Sequence, residues 1–542
     1  MGSGCSSPLP DLPSNNFMAI SLHAWDSFIV LYGGQPELDV IRHSIVQFWS
    51  KGIQEEKPKF ASPENPNAAT RCYKFKMNGY PFSLGDKSSS IESRKMCANV
   101  LYGMYNLGWK LLVSSDLSQM QDLTTWFFQR QTLIPNTQIF FSIGISSFDK
   151  LQISNCPVHL HSVIKDVCLS CWTNGLREKN ISDSTFEIKF EGNPWHYVNK
   201  AESIMARHML KQIIQSLSAR QWLLYGNSNL KSTADTLFFR HDPTLQGEIE
   251  FLSVSLNRTD RLRFIHMPDG IVAGLEEVVR QIWYNGIQDI KDERPVCYEL
   301  KLKGNPWWAS GNEAITSRLL IVKLMEKLSS YGYFVITGLD ITRKTNDKSL
   351  LLFQRGAPLH TKFMCLSLNE TDKIRLINAP NDVNSVGREI ISKWVLGVQE
   401  EKNVYGGVTY QAKLIGNPWS TISGDGIHGR ALLLGLLNAF TSMGWRLVCS
   451  ADVSAKYIHQ DKGPDYPLDV HSWYFMFDES MQQQQPAPYG YQIPNEPYPI
   501  TSPMPHPFGP NAPTANPSAP LYPTLPETVD PAPPSYYDAI KS

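Results

Sequence analysis

One short phrase recurs along the chain at a fixed distance. Gly-Asn-Pro-Trp starts at Gly192, Gly304 and Gly416, and a degenerate form, Gly-Tyr-Pro-Phe, starts at Gly79. Successive copies lie about 112 residues apart, which is the length of a whole domain and much longer than the unit of a solenoid. The spacing predicts four tandem copies of one domain.

Three further features keep the same period. They are an Arg, an aromatic residue and an Asp or Asn, found respectively at Arg94, Arg207, Arg318 and Arg430; at Trp109, Trp222, Tyr333 and Trp445; and at Asp116, Asn229, Asp340 and Asp452. Because four features share one spacing, duplication of a single unit is the economical explanation.

The last copy shows which elements one unit contains. Short β-rich runs flank a polar turn, helical spacing of apolar residues follows, and a strand precedes Gly416. The predicted segments are strands at 363–368 and 373–377, a helix at 386–396, a strand at 410–415, a helix at 430–443 and strands at 445–450 and 472–477. The order ββ-α-β-α-ββ predicts an α+β fold.

At 542 residues the chain is too long for a single core. We predict an N-terminal segment at 1–16, repeats at 17–130, 140–240, 251–355 and 363–477, and a tail at 482–542. A second phase stays open, in which each domain begins at the strand before Gly-Asn-Pro-Trp and takes its hairpin from the next copy.

Bulk composition excludes several classes of protein. A net charge of −1 gives no general attraction to nucleic acid. The apolar runs are too short for a membrane helix, which needs about 20 residues. Nine cysteines without a paired framework indicate a reducing compartment, and residues 1–4 lack the apolar stretch of a secretory signal. We expect the cytoplasmic side of the cell.

The recurring side chains admit two interpretations each. The Arg and Asp of a repeat could converge on a ligand, or the Arg could bridge to a loop acid or to carbonyls within its unit. Recurrence in all four copies favours the structural role, because duplicated active sites usually decay. The Trp of Gly-Asn-Pro-Trp could stack on a sugar or a base, but an aromatic ring that closes a turn over a core is favoured.

Signals for chemistry are weak. Cys168 and Cys171 form a C-x-x-C without a second Cys or His pair at zinc spacing, which favours a buried reduced pair. His159 and His161 lie close together, but no zinc-protease, phosphate-loop or nucleophile motif accompanies them. We predict neither a metal nor a cofactor, and a protein that is not an enzyme.

The first six residues match a lipidation pattern. Met1 to Ser6 fits M-G-x-x-x-[ST], in which Gly2 receives myristate after Met removal. One myristoyl chain binds membranes only marginally, with a constant of about 10⁴ M⁻¹. Because no polybasic run is nearby, Cys5 is the candidate for a second acyl chain. The alternative is an ordinary small-residue start with a free Cys.

After about residue 482 the composition changes. Pro becomes the commonest residue and Trp disappears, so the segment cannot bury enough apolar surface to fold. We predict a disordered, polyproline-leaning tail, which could be a simple spacer.

Three short motifs within this tail favour a function. They are P-S-A-P at Pro517, Ser518, Ala519 and Pro520; Y-P-x-L at Tyr522, Pro523 and Leu525; and P-P-x-Y at Pro533, Pro534 and Tyr536. In each, Pro presets an extended backbone, and one or two side chains fill pockets of a partner. P-P-x-Y alone could arise by chance in such a tail, but all three together within about twenty residues could not readily do so.

These motifs resemble the late-domain motifs of retroviral Gag proteins and of arrestin-domain endosomal adaptors. The resemblance implies binding to the ubiquitin-variant domain of ESCRT-I, to the Bro1/V-domain protein Alix, and to WW domains of HECT ubiquitin ligases. It covers about a tenth of the chain. The body lacks the zinc knuckle and the basic segment of Gag, and its repeats are α+β.

The leading hypothesis is a membrane-anchored adaptor on the plasma membrane or endosome, with a cytosolic pool, acting in endosomal sorting, ubiquitination or vesicle budding. The repeats would bind a cargo or self-associate. Two alternatives stay open: a ligand-binding or catalytic repeat protein whose tail controls its turnover, and a domesticated Gag-like assembly protein. The catalytic alternative requires one repeat to open a polar pocket around its Arg and Asp that the other repeats lack.

Overall fold

The structure is a computed structural model. It describes residues 9–12, 16–59, 71–83, 87–118, 122–182, 184–196, 199–230, 234–342, 348–420, 424–458, 466–467 and 469–482. Contacts divide the chain into Met1–Gln483 and Gln484–Ser542. The tail, the first eight residues and several loops lie outside the described residues.

The first two repeats contain the same elements in the same order. Repeat 1 comprises β1 (Phe17–His23), β2 (Ser27–Leu31), α1 (Gln35–Phe48), β3 (Ile53–Pro58), β4 (Cys72–Met77), α2 (Lys87–Asn106), β5 (Trp109–Asp116) and β6 (Asp122–Arg130). Repeat 2 comprises β7 (Phe141–Ser146), β8 (Lys150–Ser154), α3 (His161–Cys171), β9 (Leu176–Ser182), β10 (Thr185–Phe190), α4 (Lys200–Ser218), β11 (Trp222–Ser228) and β12 (Thr236–His241).

The last two repeats follow the same plan. Repeat 3 comprises β13 (Phe251–Asn257), β14 (Arg261–Ile265), α5 (Asp269–Ile282), β15 (Ile287–Glu293), β16 (Cys297–Leu302), α6 (Gly311–Ser330), β17 (Tyr333–Leu339) and β18 (Leu350–Arg355). Repeat 4 comprises β19 (Phe363–Asn369), β20 (Lys373–Ile377), α7 (Asn381–Ser392), β21 (Val398–Val404), β22 (Thr409–Leu414), α8 (Gly424–Ser442), β23 (Trp445–Ala451) and β26 (Ser472–Phe477). A small ribbon, β24 (Tyr457–Ile458) with β25 (Tyr466–Pro467), interrupts the last hairpin, and α9 (Glu479–Gln482) follows β26.

Each repeat forms one antiparallel sheet of six strands. The order in repeat 1 is β3-β4-β2-β1-β6-β5, and the other three sheets have the same order. Every described strand of a six-stranded sheet comes from a single repeat, so none of these strands forms a hairpin borrowed from the next copy. The prediction of an α+β protein with four tandem repeats is confirmed.

The predicted order of elements within a repeat was incomplete. Each repeat has an additional strand after its first helix, so the order is ββ-α-ββ-α-ββ. This strand lies at the sheet edge and is almost wholly exposed and charged, as in β3 and β21. Charged edge strands protect a sheet from pairing with other chains. Because the strand has no apolar face, alternation could not reveal it.

Helix boundaries also differ from prediction in repeat 4. The helix predicted at 386–396 is α7, which begins directly after Pro380 and ends before Trp394. The helix predicted at 430–443 is α8, which begins at Gly424. In both helices the first turn contains only one apolar residue, so the helical spacing of apolar residues does not extend into it.

The second helix of each repeat is packed between two sheets. It contacts its own sheet and also the sheet of the following repeat: α2 contacts β7 and β8, α4 contacts β13 and β14, and α6 contacts β19 and β20. The helix α8 of repeat 4 contacts β1 of repeat 1. The four repeats therefore form a closed ring in which sheets and helix pairs alternate.

Burial on both sheet faces explains the sequence of the inner strands. Residues 17–22 of β1 are all buried. Met18 and Ile20 belong to the core shared with the helices of repeat 1, whereas Phe17 and Ala19 belong to the core shared with α8. Strands covered on both faces are typically continuous apolar runs, which is how these strands read.

The centre of the ring is formed by one edge strand of each sheet, the strand at the edge opposite the charged strand. The strands β5, β11, β17 and β23 contact one another in ring order, and β23 contacts β5. Close approach is possible because small residues lie there: a Cβ on Gly338 of β17 would lie 2.8 Å from the Cβ of Ala451 in β23. None of the described helices is long and apolar enough to cross a membrane.

Candidate functional site: the junctions between repeats

The recurring Arg residues lie at the ring junctions. Each projects from the second helix of its repeat and is at most 3% exposed. Each donates from Nε to a hydroxyl of the next sheet: Arg94 to Thr236 (3.2 Å), Arg207 to Ser255 (2.6 Å), Arg318 to Ser472 (2.8 Å) and Arg430 to Thr125 (3.0 Å). The fourth contact returns to repeat 1 and closes the ring.

Additional bonds hold these guanidinium groups. Arg318 donates from Nη1 to the carbonyl of Ala314 at 2.9 Å and forms an ion pair with Asp469 at 3.1 Å. Burial lowers the pKa of Arg94 to about 10 and that of Arg207 to about 9, so both remain charged at neutral pH. The predicted structural role of the Arg is confirmed, and bonds within its own unit are present, as from Arg318 to Ala314. The prediction did not include the second set of partners, which lie in the next repeat.

The recurring Asp or Asn lies at the same junctions, nearer the centre. Its backbone N–H donates to a side chain of the preceding repeat: Asn229 to Thr124 Oγ1 (3.0 Å), Asp340 to Asp235 Oδ2 (2.7 Å), Asp452 to Ser349 Oγ (2.9 Å) and Asp116 to His471 Nδ1 (3.3 Å). In each case the same partner residue also donates to the carbonyl of the recurring Asp or Asn. The donors are Thr124 Oγ1 (3.1 Å) and the N–H groups of Asp235 (2.7 Å), Ser349 (2.9 Å) and His471 (3.1 Å). We call these four reciprocal pairs the junction pairs.

Two of the four acceptor side chains are titratable. Burial raises the pKa of Asp235 to about 7, against the opposing effect of the two donors on its carboxyl, the N–H of Asp340 and the amide of Asn227. Burial also lowers the pKa of His471 to about 4. Because His471 Nδ1 accepts the N–H of Asp116, its imidazole is neutral, with the proton on Nε2. Two junction pairs therefore accept the backbone N–H with an ionisable side chain, Asp235 or His471, whereas the other two accept it with a hydroxyl.

Charged side chains around the junction pairs lie close enough to interact. Burial and the nearby Asp235 raise the pKa of Asp340 well above its usual range. Lys348 forms an ion pair with Asp452 at 2.9 Å, and both charges act on Asp340 as well. Within the described part of the chain, no group of three or more His, Cys, Asp or Glu residues is placed to hold a metal ion. The ion pair of Lys348 with Asp452 joins repeat 3 to repeat 4.

The Trp of Gly-Asn-Pro-Trp closes a turn, as predicted. Trp195, Trp307 and Trp419 are fully buried, and each indole donates to a carbonyl of the nearby hairpin, at 2.9, 2.8 and 3.0 Å respectively. In repeat 1 the equivalent Phe82 is also buried. A stacking role for these rings would require exposed faces.

A second row of tryptophans was missed. It consists of Trp49, Trp172, Trp283 and Trp394, which are buried at the ends of the first helices and donate at 2.8–2.9 Å to the carbonyls before the Gly of each recurring phrase. Each is followed three positions later by a Gly with positive φ, at Gly52, Gly175, Gly286 and Gly397. This W-x-x-G spacing was the signal that could have found the row.

One domain family matches the chain four times, at residues 16–129, 139–240, 250–354 and 362–476. The matches together span most of the chain. The chain belongs to this family. Each match coincides with one six-stranded sheet and its two helices. No curated protein and no solved structure matches the chain significantly.

The remaining predicted side chains lie away from the junction pairs or outside the described residues. Cys168 is buried in α3 and Cys171 is partly exposed at its end, and both are free thiols. The Nε2–H of His161 donates to the carbonyl of Cys156 at 3.2 Å, and His159 lies in the preceding turn. Outside the described residues lie Gly2, Cys5, Pro517, Ser518, Ala519, Pro520, Tyr522, Pro523, Leu525, Pro533, Pro534 and Tyr536.

Proposed function

We propose that the chain is a membrane-anchored adaptor that recruits ESCRT factors and WW-domain HECT ubiquitin ligases through its tail. The observation that carries this proposal is the succession of three different pocket-fitting motifs between Pro517 and Tyr536. Each motif alone binds weakly, and three on one tether raise the apparent affinity through effective concentration. The proposed outcome is ubiquitination and endosomal sorting or vesicle budding.

The organisation of the ring supports a scaffold role for the repeats. A catalytic repeat would differ from the others in how it presents its Arg, yet all four Arg residues are buried at equivalent junctions. The recurring Arg and the recurring Asp or Asn are used to join repeats. In this proposal the ring is a rigid body that binds cargo or a second ring, and it catalyses no reaction.

Membrane attachment completes the proposal. Myristate on Gly2 would supply the first signal, and an acyl chain on Cys5 would supply the second. A test is to express the full chain with Gly2→Ala, which should move the protein from membranes to cytosol. Cys5→Ser should weaken attachment without abolishing it. Unchanged fractionation of Gly2→Ala would remove the anchor from the proposal.

The tail motifs are tested with matched substitutions in the full chain. Binding is measured by calorimetry. Tyr536→Ala should abolish binding of a WW domain, and Pro517→Ala should abolish binding of the ESCRT-I ubiquitin-variant domain. Leu525→Ala should abolish binding of Alix. The sequence provides a neighbouring residue of the same type as the control for each: Tyr537→Ala, Pro513→Ala and Leu521→Ala.

The control variants should bind as the unchanged chain does, because they leave the motif positions intact. If none of the three domains binds the unchanged chain, the adaptor proposal fails. Particles formed by the purified chain would favour the Gag-like alternative instead.

A further inference from the structure

The described N-terminal residues are fixed beside the first sheet. Leu9 is 1% exposed and lies in the core between α8 and the sheet of repeat 1. Its carbonyl accepts from Arg71 Nη1 at 2.6 Å, and the hydroxyl of Tyr32 donates to the carbonyl of Pro10 at 2.8 Å. Arg71 directly precedes β4. Six residues lie between Gly2 and Leu9, and this stretch spans at most about 25 Å when fully extended. A bilayer that holds Gly2 is therefore within about 25 Å of Leu9, which contacts Arg71 at the start of β4.

Four lysines lie on the hairpin of β3 and β4. Lys57 is directly opposite Lys74, Lys59 pairs through its N–H with the carbonyl of Cys72, and Lys76 lies two positions beyond Lys74. We call Lys57, Lys59, Lys74 and Lys76 the lysine surface. Like charges placed directly opposite each other destabilise a sheet. An anion that contacts this surface would therefore reduce the repulsion and stabilise the pair.

Carboxylates only partly offset the lysine surface. Glu55 lies 2.6 Å from Lys57, and its pKa is lowered first by this hydrogen bond and then by Lys74 and Lys76. Lys76 lies 4.0 Å from Asp26. Among the described residues, no carboxylate forms an ion pair with Lys59 or Lys74.

The other repeats provide an internal comparison. The positions equivalent to Lys57 and Lys74 are occupied by Lys179 and Glu187 in repeat 2, Lys291 and Glu299 in repeat 3, and Lys402 and Gln411 in repeat 4. In those pairs the lysine is opposite an acid or an amide. Repeat 1, which is the repeat beside the N-terminal segment, is the one that replaces this partner with a second lysine.

The geometry points to the lysine surface as a binding site for anionic lipid headgroups, so that the ring itself supplies a membrane signal besides the acyl group. This inference rests on the lipid anchor proposed above, which brings the surface to the bilayer. One acyl chain binds marginally and needs a second signal. Lysines near an anionic leaflet each strengthen binding about fivefold, and the attraction falls with salt.

The test measures binding of the full chain, prepared without acylation, to two kinds of vesicle: phosphatidylcholine alone, and phosphatidylcholine with phosphatidylserine in equal parts. The unchanged chain should prefer the phosphatidylserine vesicles at low salt. The double variant Lys57→Gln, Lys74→Gln should lose about 25-fold in this binding. The matched control, Lys291→Gln with Lys402→Gln, should bind as the unchanged chain does.

Equal binding to both vesicles, or an equal loss in the control variant, would overturn the inference. So would a polyglutamate peptide that binds the unchanged chain more tightly than the phosphatidylserine vesicles, since the surface would then belong to an acidic protein partner. Binding of the acylated chain to phosphatidylcholine vesicles tests the lipid anchor by itself, because that binding depends on the acyl group and requires no lysine. Failure of the anchor and failure of the lysine surface can therefore be told apart.

Discussion

Arg430 in the last repeat donates from Nε to the hydroxyl of Thr125 in the first repeat, at 3.0 Å and across 305 positions of sequence. Arg94 makes the same kind of bond to Thr236, between two repeats that the chain connects directly. The junction that closes the ring is therefore built like the junctions between consecutive repeats.

Replacing Arg430 should strongly destabilise the protein. Arg430→Ala removes bonds to Thr125, to Ser118 and to the carbonyl of Gly426, and it leaves buried acceptors and donors unpaired. We expect a loss of about 3–5 kcal/mol in the free energy of unfolding, measured by urea denaturation. The exposed Arg446→Ala is the control and should change stability by about 0.5 kcal/mol or less. Equal stability of the two variants would contradict the structural role of Arg430.

Asp235→Asn should stabilise the protein at pH 8. The folded-state pKa of Asp235 is raised to about 7 by burial, so folding opposes its ionisation, and stability is lost as the pH rises from about 4 to 7. Asn keeps an oxygen that accepts from both Asp340 and Asn227. We expect a gain on the order of 2–4 kcal/mol at pH 8 and almost none at pH 4. The measurement is thermal unfolding across this range, and a variant that is less stable at pH 8 would refute the prediction.

His471→Thr should reduce the acid sensitivity of the ring. The folded-state pKa of His471 is lowered to about 4, chiefly by burial, so its contribution is complete above pH 6.5 and is lost as the pH falls toward 4. Thr is the residue that performs the same role in repeat 1, at Thr124. Between pH 6.5 and 4.5 the variant should lose about 1–2 kcal/mol less than the unchanged chain.

The exposed His360→Thr provides the control for His471→Thr and should leave the pH profile unchanged. Parallel profiles for the unchanged chain and His471→Thr would show that the junction does not depend on a neutral imidazole.

Trp307→Phe should lower stability without creating a binding defect specific to sugars or bases. The indole N–H donates to the carbonyl of Arg261 at 2.8 Å and the ring is fully buried. Loss of the bond and of part of the ring should cost about 1–3 kcal/mol in chemical denaturation. Tyr284→Phe, at a ring that is 57% exposed, should have almost no effect. Unaltered stability of Trp307→Phe would reopen the stacking interpretation.

The sequence predicts the repeats well because their recurring residues have the same role in every copy. Gly416 and Trp419 mark the same turn as their counterparts, and Arg430 occupies the same helix position as Arg94. The edge strand β3 was missed because its residues are polar on both faces. The hydroxyl partner of each Arg was missed because it lies on the next sheet, and local periodicity contains no information about contacts between repeats.

The junction pairs show a different limit. Thr124, Asp235, Ser349 and His471 perform one task, acceptance of a backbone N–H from the next repeat. They share a capacity for hydrogen bonding but not a residue type, so a search for recurring residues passes over them. The lysine surface was overlooked for the opposite reason, since it depends on a residue that differs from its counterparts.

The closed ring also constrains how such a protein can evolve. An open array of repeats can gain or lose a unit at either end, because the remaining contacts are unaffected. Here α8 already packs on β1, so a fifth copy has no free face on which to add, and a missing copy leaves two faces bare. The residue at an equivalent position can therefore differ between copies, as it does at Lys74, but the closure of the ring fixes the number of copies.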